Sequence, residues 1–225
     1  MYDIQLFIER FFSKYSRKKI YFVSLLVGAL LLVVLSWFLY HYIVLQREQK
    51  AQGALATRLE AQVAAADKII WADQIAAWDV AYYEHKHSKL AAYFLVFKAE
   101  AQIKQGDESA ACATMIEALK VMPRNSPLFY LYATKLALMK IDSTVPVIHD
   151  MGIHELDILA HDVHNPEWDW ASYYYALLMA QQGEVTQALN EWSRLVSKAS
   201  QASIWAHEAR QQLAHRSPVA QKTLA

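Results

Sequence analysis

Gly106-Asp107-Glu108-Ser109-Ala110-Ala111-Cys112-Ala113-Thr114-Met115-Ile116-Glu117-Ala118-Leu119-Lys120-Val121-Met122-Pro123 carries the signature of a helix bounded by a turn and a stop. Gly106 stands at the turn between two helices, and Pro123 stands where the second helix must stop. Between them, Ala111, Met115 and Ala118 recur at helical spacing and mark one face. Short side chains matter there, because antiparallel helices approach to about 8–10 Å only where small residues meet.

The same pattern extends outward. Ala99 sits upstream, where the first helix of such a pair needs a small residue, and Ala133 follows 34 residues later. Ala176 takes that position a third time after 43 more residues, with Gly183-Glu184 as the turn, Ala188-Leu189 as the contact and Trp192 as the large apolar partner. This register resembles that of tetratricopeptide repeats, and the unequal step implies an irregular unit over residues 143–166. A lone hairpin cannot bury its apolar stripe, whereas stacked hairpins can, with a last helix at 201–214 covering the end. The chain has only five glycines and five prolines, and it lacks alternating Val/Ile/Thr runs. The expectation is therefore an all-α protein: one N-terminal transmembrane helix, then a tetratricopeptide-like α-solenoid of about three to four hairpins.

The transmembrane expectation rests on residues 20–46, a run of 27 without a charge, preceded by Arg17-Lys18-Lys19. At about 1.5 Å rise per residue, a helix of that length crosses the roughly 30 Å hydrocarbon core with some tilt. A cleavable signal has an apolar region of about 7–15 residues followed closely by a small-x-small site. Here Gln46-Arg47-Glu48-Gln49-Lys50 follows instead, so an uncleaved anchor is expected. Arg10, Lys14, Arg17, Lys18 and Lys19 precede the span, against Arg47, Lys50 and Arg58 after it. The positive-inside rule then places the N-terminus in the cytoplasm and the large domain outside. Apolar and charged residues mix within residues 1–16, which suits an amphipathic helix in the inner headgroup region. The expected division is 1–19 amphipathic segment, 20–45 membrane helix, 46–67 helical linker, 68–214 repeat domain and 215–225 tail.

Composition narrows the function. Residues 1–19 carry five basic and two acidic groups, leaving 17 basic and 20 acidic for the remainder. A mildly acidic domain does not suit nucleic acid, which calls for basic patches. Cys112 is the single cysteine and cannot form an internal disulfide. His161 and His164, with His154 and Asp157 nearby, have the i, i+3 spacing of a metal-ligand pair, but no His-Glu-x-x-His pattern accompanies them. No phosphate loop, nucleophile elbow or apolar carboxylate pair occurs. No enzyme activity, cofactor or metal is expected, and a membrane-bound metalloenzyme is the weakest of three readings.

Glu9-Arg10-Phe11-Phe12 before the anchor, residues 106–118, and the run from Trp170-Ala171 through Gln181-Gln182-Gly183-Glu184 to Ala188-Leu189-Asn190-Glu191-Trp192 resemble the YfgM-like family of bacterial inner-membrane proteins. The family's Leu-Arg-Gly-Asp/Glu in the final unit stands here as Tyr174-Tyr175-Ala176-Leu177, so no contact of that motif is carried over. The resemblance implies a single-pass inner-membrane protein with a periplasmic domain, acting as an ancillary subunit of the Sec translocon. The partners it implies are translocon subunits, periplasmic chaperones and secreted chains, beside membrane lipid. A general tetratricopeptide adaptor of an envelope or division complex shares every feature. Positions two and five of the first helix in each tetratricopeptide hairpin line an inner groove. Transferred to this chain these are Tyr93, Val96, Tyr130, Trp170 and Tyr173, with Glu100 and Lys104 lower in the same groove; the alternative is that some of these rings are core residues and that an irregular second unit closes the groove.

Overall fold

A computed structural model describes residues 17–64, 70–126 and 128–216. The amphipathic segment expected over residues 1–16, the end of the linker and nearly all of the tail lie outside the described residues. Among the described residues the protein is all-helical, with nine helices and no strand. The chain divides into two compact units, Met1–Ala54 and Leu55–Ala225.

The first unit is helical throughout its described part. Helix α1, Arg17–Ala64, covers the expected membrane span and most of the expected linker without a break. It is long and apolar enough to cross a membrane. Leu25, Leu31, Val33, Leu35, Phe38 and Tyr42 are all exposed, so its apolar surface runs round the helix rather than along one stripe.

The second unit holds α2 (Trp71–His85), α3 (Ala91–Gln105), α4 (Glu108–Val121), α5 (Phe129–Ile141), α6 (Pro146–His161), α7 (Trp168–Gln181), α8 (Val185–Lys198) and α9 (Ile204–Arg216). Each helix packs on the next in chain order, and α9 also reaches α7. The tightest turns are chemically alike. Gly106 has φ +89° and Gly183 φ +87°, backbone that side chains disfavour. At the first, Asp107 N–H donates to Gln102 O at 2.9 Å and Gly106 N–H to Ile103 O at 3.0 Å. At the second, Glu184 N–H donates to Met179 O at 2.9 Å and Gly183 N–H to Ala180 O at 3.4 Å. Both are Schellman caps, which satisfy the last carbonyls of one helix as the chain reverses into the next. Asp107 then caps α4, its Oδ1 accepting from Ala110 N–H at 2.9 Å.

Small residues sit where these hairpins close. Ala99, Ala111 and Ala118 are fully buried, as are Ala176 and Ala188, and Met115 and Trp192 beside them have no exposed surface. The core is correspondingly segmented. One cluster joins α3, α4 and α5 around Val96, Met115 and Leu136; a second joins α5, α6 and α7 around Ala137, Leu156 and Ala171; a third joins α7, α8 and α9 around Tyr173, Trp192 and Ala209.

The middle hairpin departs from the expected register. Ala133 keeps partial exposure, while Ala137, one helical turn later, is fully buried. Ala137 faces Gly152 of α6, where an added Cβ would lie 2.8 Å from the Ala137 carbonyl oxygen and from Ile141 N. The turn from α5 to α6 has four residues, and Pro146 opens α6, where its fixed φ suits the first helical turn. Residues 143–166, expected to form an irregular unit, hold most of that turn, α6 and the chain leading to α7.

Candidate functional site

Tyr93 lies in the first turn of α3, half-buried against the first core cluster, with its Oη 3.1 Å from Ser126 Oγ. Two turns on, Glu100 accepts from Lys135 Nζ of α5 at 2.8 Å. Tyr132, also from α5, completes this face. Burial raises its phenol pKa, and the negative charge of Glu100 and then Tyr93 push the same way. Tyr93, Glu100, Tyr132 and Lys135 thus meet between two helices that each begin a hairpin. The Glu100–Lys135 pair is about one-third exposed on both sides, so it orients the face more than it stabilises it. Lys104 is exposed in the last turn of α3, where its charge suits the helix dipole.

Not every expected groove residue reaches this face. Val96 has no exposed surface and belongs to the core between α3 and α4, so it lines no groove. Tyr130 keeps partial exposure and hydrogen-bonds Asp162; with Arg124, Asn125, Ser126, His164 and Pro166 it borders a recess of about 340 Å³. Tyr173 is only 8 % exposed. Trp205 of α9 covers it at 5.5 Å between ring centroids and stacks on Trp170 at 6.2 Å. Tyr174 packs on the same indole at 5.5 Å. Tyr173 is therefore covered where α7 meets α9, while Trp170, Tyr174 and Trp205 around it keep partial exposure. Aromatic pairs at these separations add about 0.5–1.5 kcal/mol each beyond their buried area.

The histidines divide as well. Helix α6 ends at His161, and Asp162 turns the chain into extended backbone, which removes His164 from the helix face. His164 borders the Tyr130 recess instead. His161 stands between carboxylates, Nδ1 3.0 Å from Asp157 Oδ1 and Nε2 3.3 Å from Glu191 Oε1. Glu191 is held by Arg194, whose Nε donates to Oε2 at 2.8 Å. The same guanidinium donates through Nη2 to Ser172 Oγ at 2.9 Å and to the Ala160 carbonyl at 3.2 Å, and it covers the Trp168 ring. Arg194 thus ties α6, α7 and α8 together. Among the described residues no three His, Cys, Asp or Glu side chains form a group able to hold a metal ion.

Sequence reasoning passed over Tyr132, Lys135, Arg194 and Trp205. One signal was present: Lys135 follows Glu100 by 35 residues, close to the repeat step, so opposite charges fall on neighbouring hairpins. Trp205 and Arg194 meet partners from other helices and carry no local signature. Compared with family models, with curated proteins and with solved structures, the chain matches none.

Proposed function

We propose that this protein is a membrane-anchored interaction scaffold whose helical hairpins form a tetratricopeptide-like solenoid on the outer side of a bacterial inner membrane. The observation that carries the reading is the pair of equivalent glycine turns at Gly106 and Gly183, each leading to a buried alanine, Ala111 or Ala188. Hairpins closed this way pair small residues inside and leave the first helices free to present side chains outward. The Tyr93, Glu100, Tyr132 and Lys135 face has the mixed aromatic and charged chemistry of a protein contact, since tyrosine supplies large contact area with a polar tip. The exposed apolar girdle of α1 supports the anchor: a helix apolar all round fits lipid better than water. By this reading the partners are subunits of the Sec translocon, periplasmic chaperones or chains emerging from export.

A photo-cross-linker placed at Tyr93 or Lys104 tests this in intact cells. Cross-links to translocon subunits, chaperones or secreted chains are the expected result. Cross-links only to division or cell-wall proteins would assign the scaffold to an envelope complex instead. No protein adduct from either position would contradict a partner surface on this face.

A further inference from the structure

We infer that the groove between α4 and the α5–α6 turn docks an amphipathic segment of another protein that carries basic residues beside its apolar face. This surface is separate from the Tyr93 face and goes beyond the scaffold reading.

The groove opens where packing is thinnest. Consecutive helices of the second unit contact one another least between α4 and α5. A groove of about 440 Å³ remains there, with Cys112 and Ile116 of α4, Met139 of α5, Val145 and Ile148 along its walls. Val145 and Ile148 are 48 % and 36 % exposed, and Met151, one turn beyond Ile148, is 49 % exposed. A run of apolar side chains open to water is costly at about 25 cal/mol per Å² and marks an interaction surface when contiguous.

Charge selects the occupant. Glu108 and Asp142 both border the groove, both are exposed, and neither forms an ion pair among the described residues. Glu108 is explained by its place in the first turn of α4, where the helix dipole favours an acid. Asp142 is not: it caps the C-terminal end of α5, where the dipole disfavours negative charge. The same residue borders a second recess of about 300 Å³ walled by Leu138, Ile141, Leu156, Leu177 and Leu178. One carboxylate thus stands between two apolar recesses. An incoming lysine or arginine would offset the dipole penalty at Asp142 while neighbouring apolar side chains fill the walls, the helix-in-groove mode of recognition. A second copy of this chain fits less well, since its own groove would bring carboxylates against carboxylates.

Cys112 makes the test direct, because it is the single cysteine of the chain and lines this groove. The full chain is placed in nanodiscs of zwitterionic phosphatidylcholine, and the rate of thiol labelling is followed. Two amphipathic helical peptides of about 18 residues, five turns, are added in turn, one of leucine and lysine, one of leucine and glutamate. The leucine–lysine peptide is expected to slow labelling about tenfold when present at about ten times its Kd, and the leucine–glutamate peptide to leave it unchanged. Glu108→Lys with Asp142→Lys should abolish the protection, and Asp142→Asn should weaken it should the double variant melt early. Tyr93→Ala should leave the protection intact, which separates this proposal from the scaffold face. Equal protection by both peptides, or by neither, overturns the inference. So does a labelling rate that falls with protein concentration alone, which would make the occupant a second copy.

Discussion

The backbone of Ala137 lies so close to Gly152 that a single added carbon would meet its carbonyl oxygen at 2.8 Å, with Ile141 N and Lys140 Cβ at the same distance. Two of these three atoms are backbone and cannot swing aside. Replacing a helical glycine by alanine ordinarily gains about 0.5–1 kcal/mol. Here overpacking should cost about 1–3 kcal/mol and outweigh that gain. Gly152→Ala is expected to lower the melting temperature of the chain by several degrees. A rise would mean that α5 and α6 do not meet at these residues.

Arg194 gives a second expectation. Its guanidinium holds Glu191, Ser172 and the Ala160 carbonyl at once, and hydrogen bonds to charged groups contribute about 1.5–3 kcal/mol. Arg194→Ala should therefore cost about 2–3 kcal/mol in urea unfolding. Arg194→Lys should recover less than half, because a lysine keeps the charge but not the planar fork. Full recovery by lysine would reduce the site to a simple ion pair with Glu191.

How much of this was legible beforehand depended on whether the signal was local. The Gly106 and Gly183 turns were, because only glycine takes that backbone readily and its partners lie within five residues. The buried alanines followed from the same turns. A strict 34-residue step points to Ala133, whereas the close contact with α6 falls one turn later, where Ala137 meets Gly152. Val96 and Tyr173 fall in the core, the alternative that the spacing leaves open, for another reason. Helices α3 and α7 are apolar on more than one face, so spacing alone does not separate an inward position from a groove position. The lid that Trp205 forms over Trp170 joins residues 35 apart in sequence and has no local trace.

Five tyrosines are expected to make stability fall at alkaline pH. Tyr82, Tyr130, Tyr132, Tyr173 and Tyr175 all have pKa values raised from 10.0, burial being the largest cause in each, with Glu117 adding to it at Tyr82, Asp162 at Tyr130 and Asp157 at Tyr175. A raised phenol binds its proton more tightly in the folded state. Its contribution is fully present below the unfolded pKa of about 10 and is lost as pH rises through the folded value. Unfolding free energy should accordingly decline from about pH 10 upward, and Tyr132→Phe should flatten the decline. A slope unchanged in Tyr132→Phe would show that its phenol is no more buried than those at the surface.

The proposed function has α1 span a membrane, and the side on which α2–α9 then lie decides that reading. Five basic residues precede the span, Arg10, Lys14, Arg17, Lys18 and Lys19, against Arg47, Lys50 and Arg58 after it. The direct measurement is a pair of reporter fusions after Arg216, alkaline phosphatase in one and green fluorescent protein in the other. An active phosphatase with a dark fluorescent partner is the expected result and places the hairpins outside the cytoplasm. A silent phosphatase with a bright fluorescent partner would contradict the orientation and, with it, any role at the outer face of the export machinery.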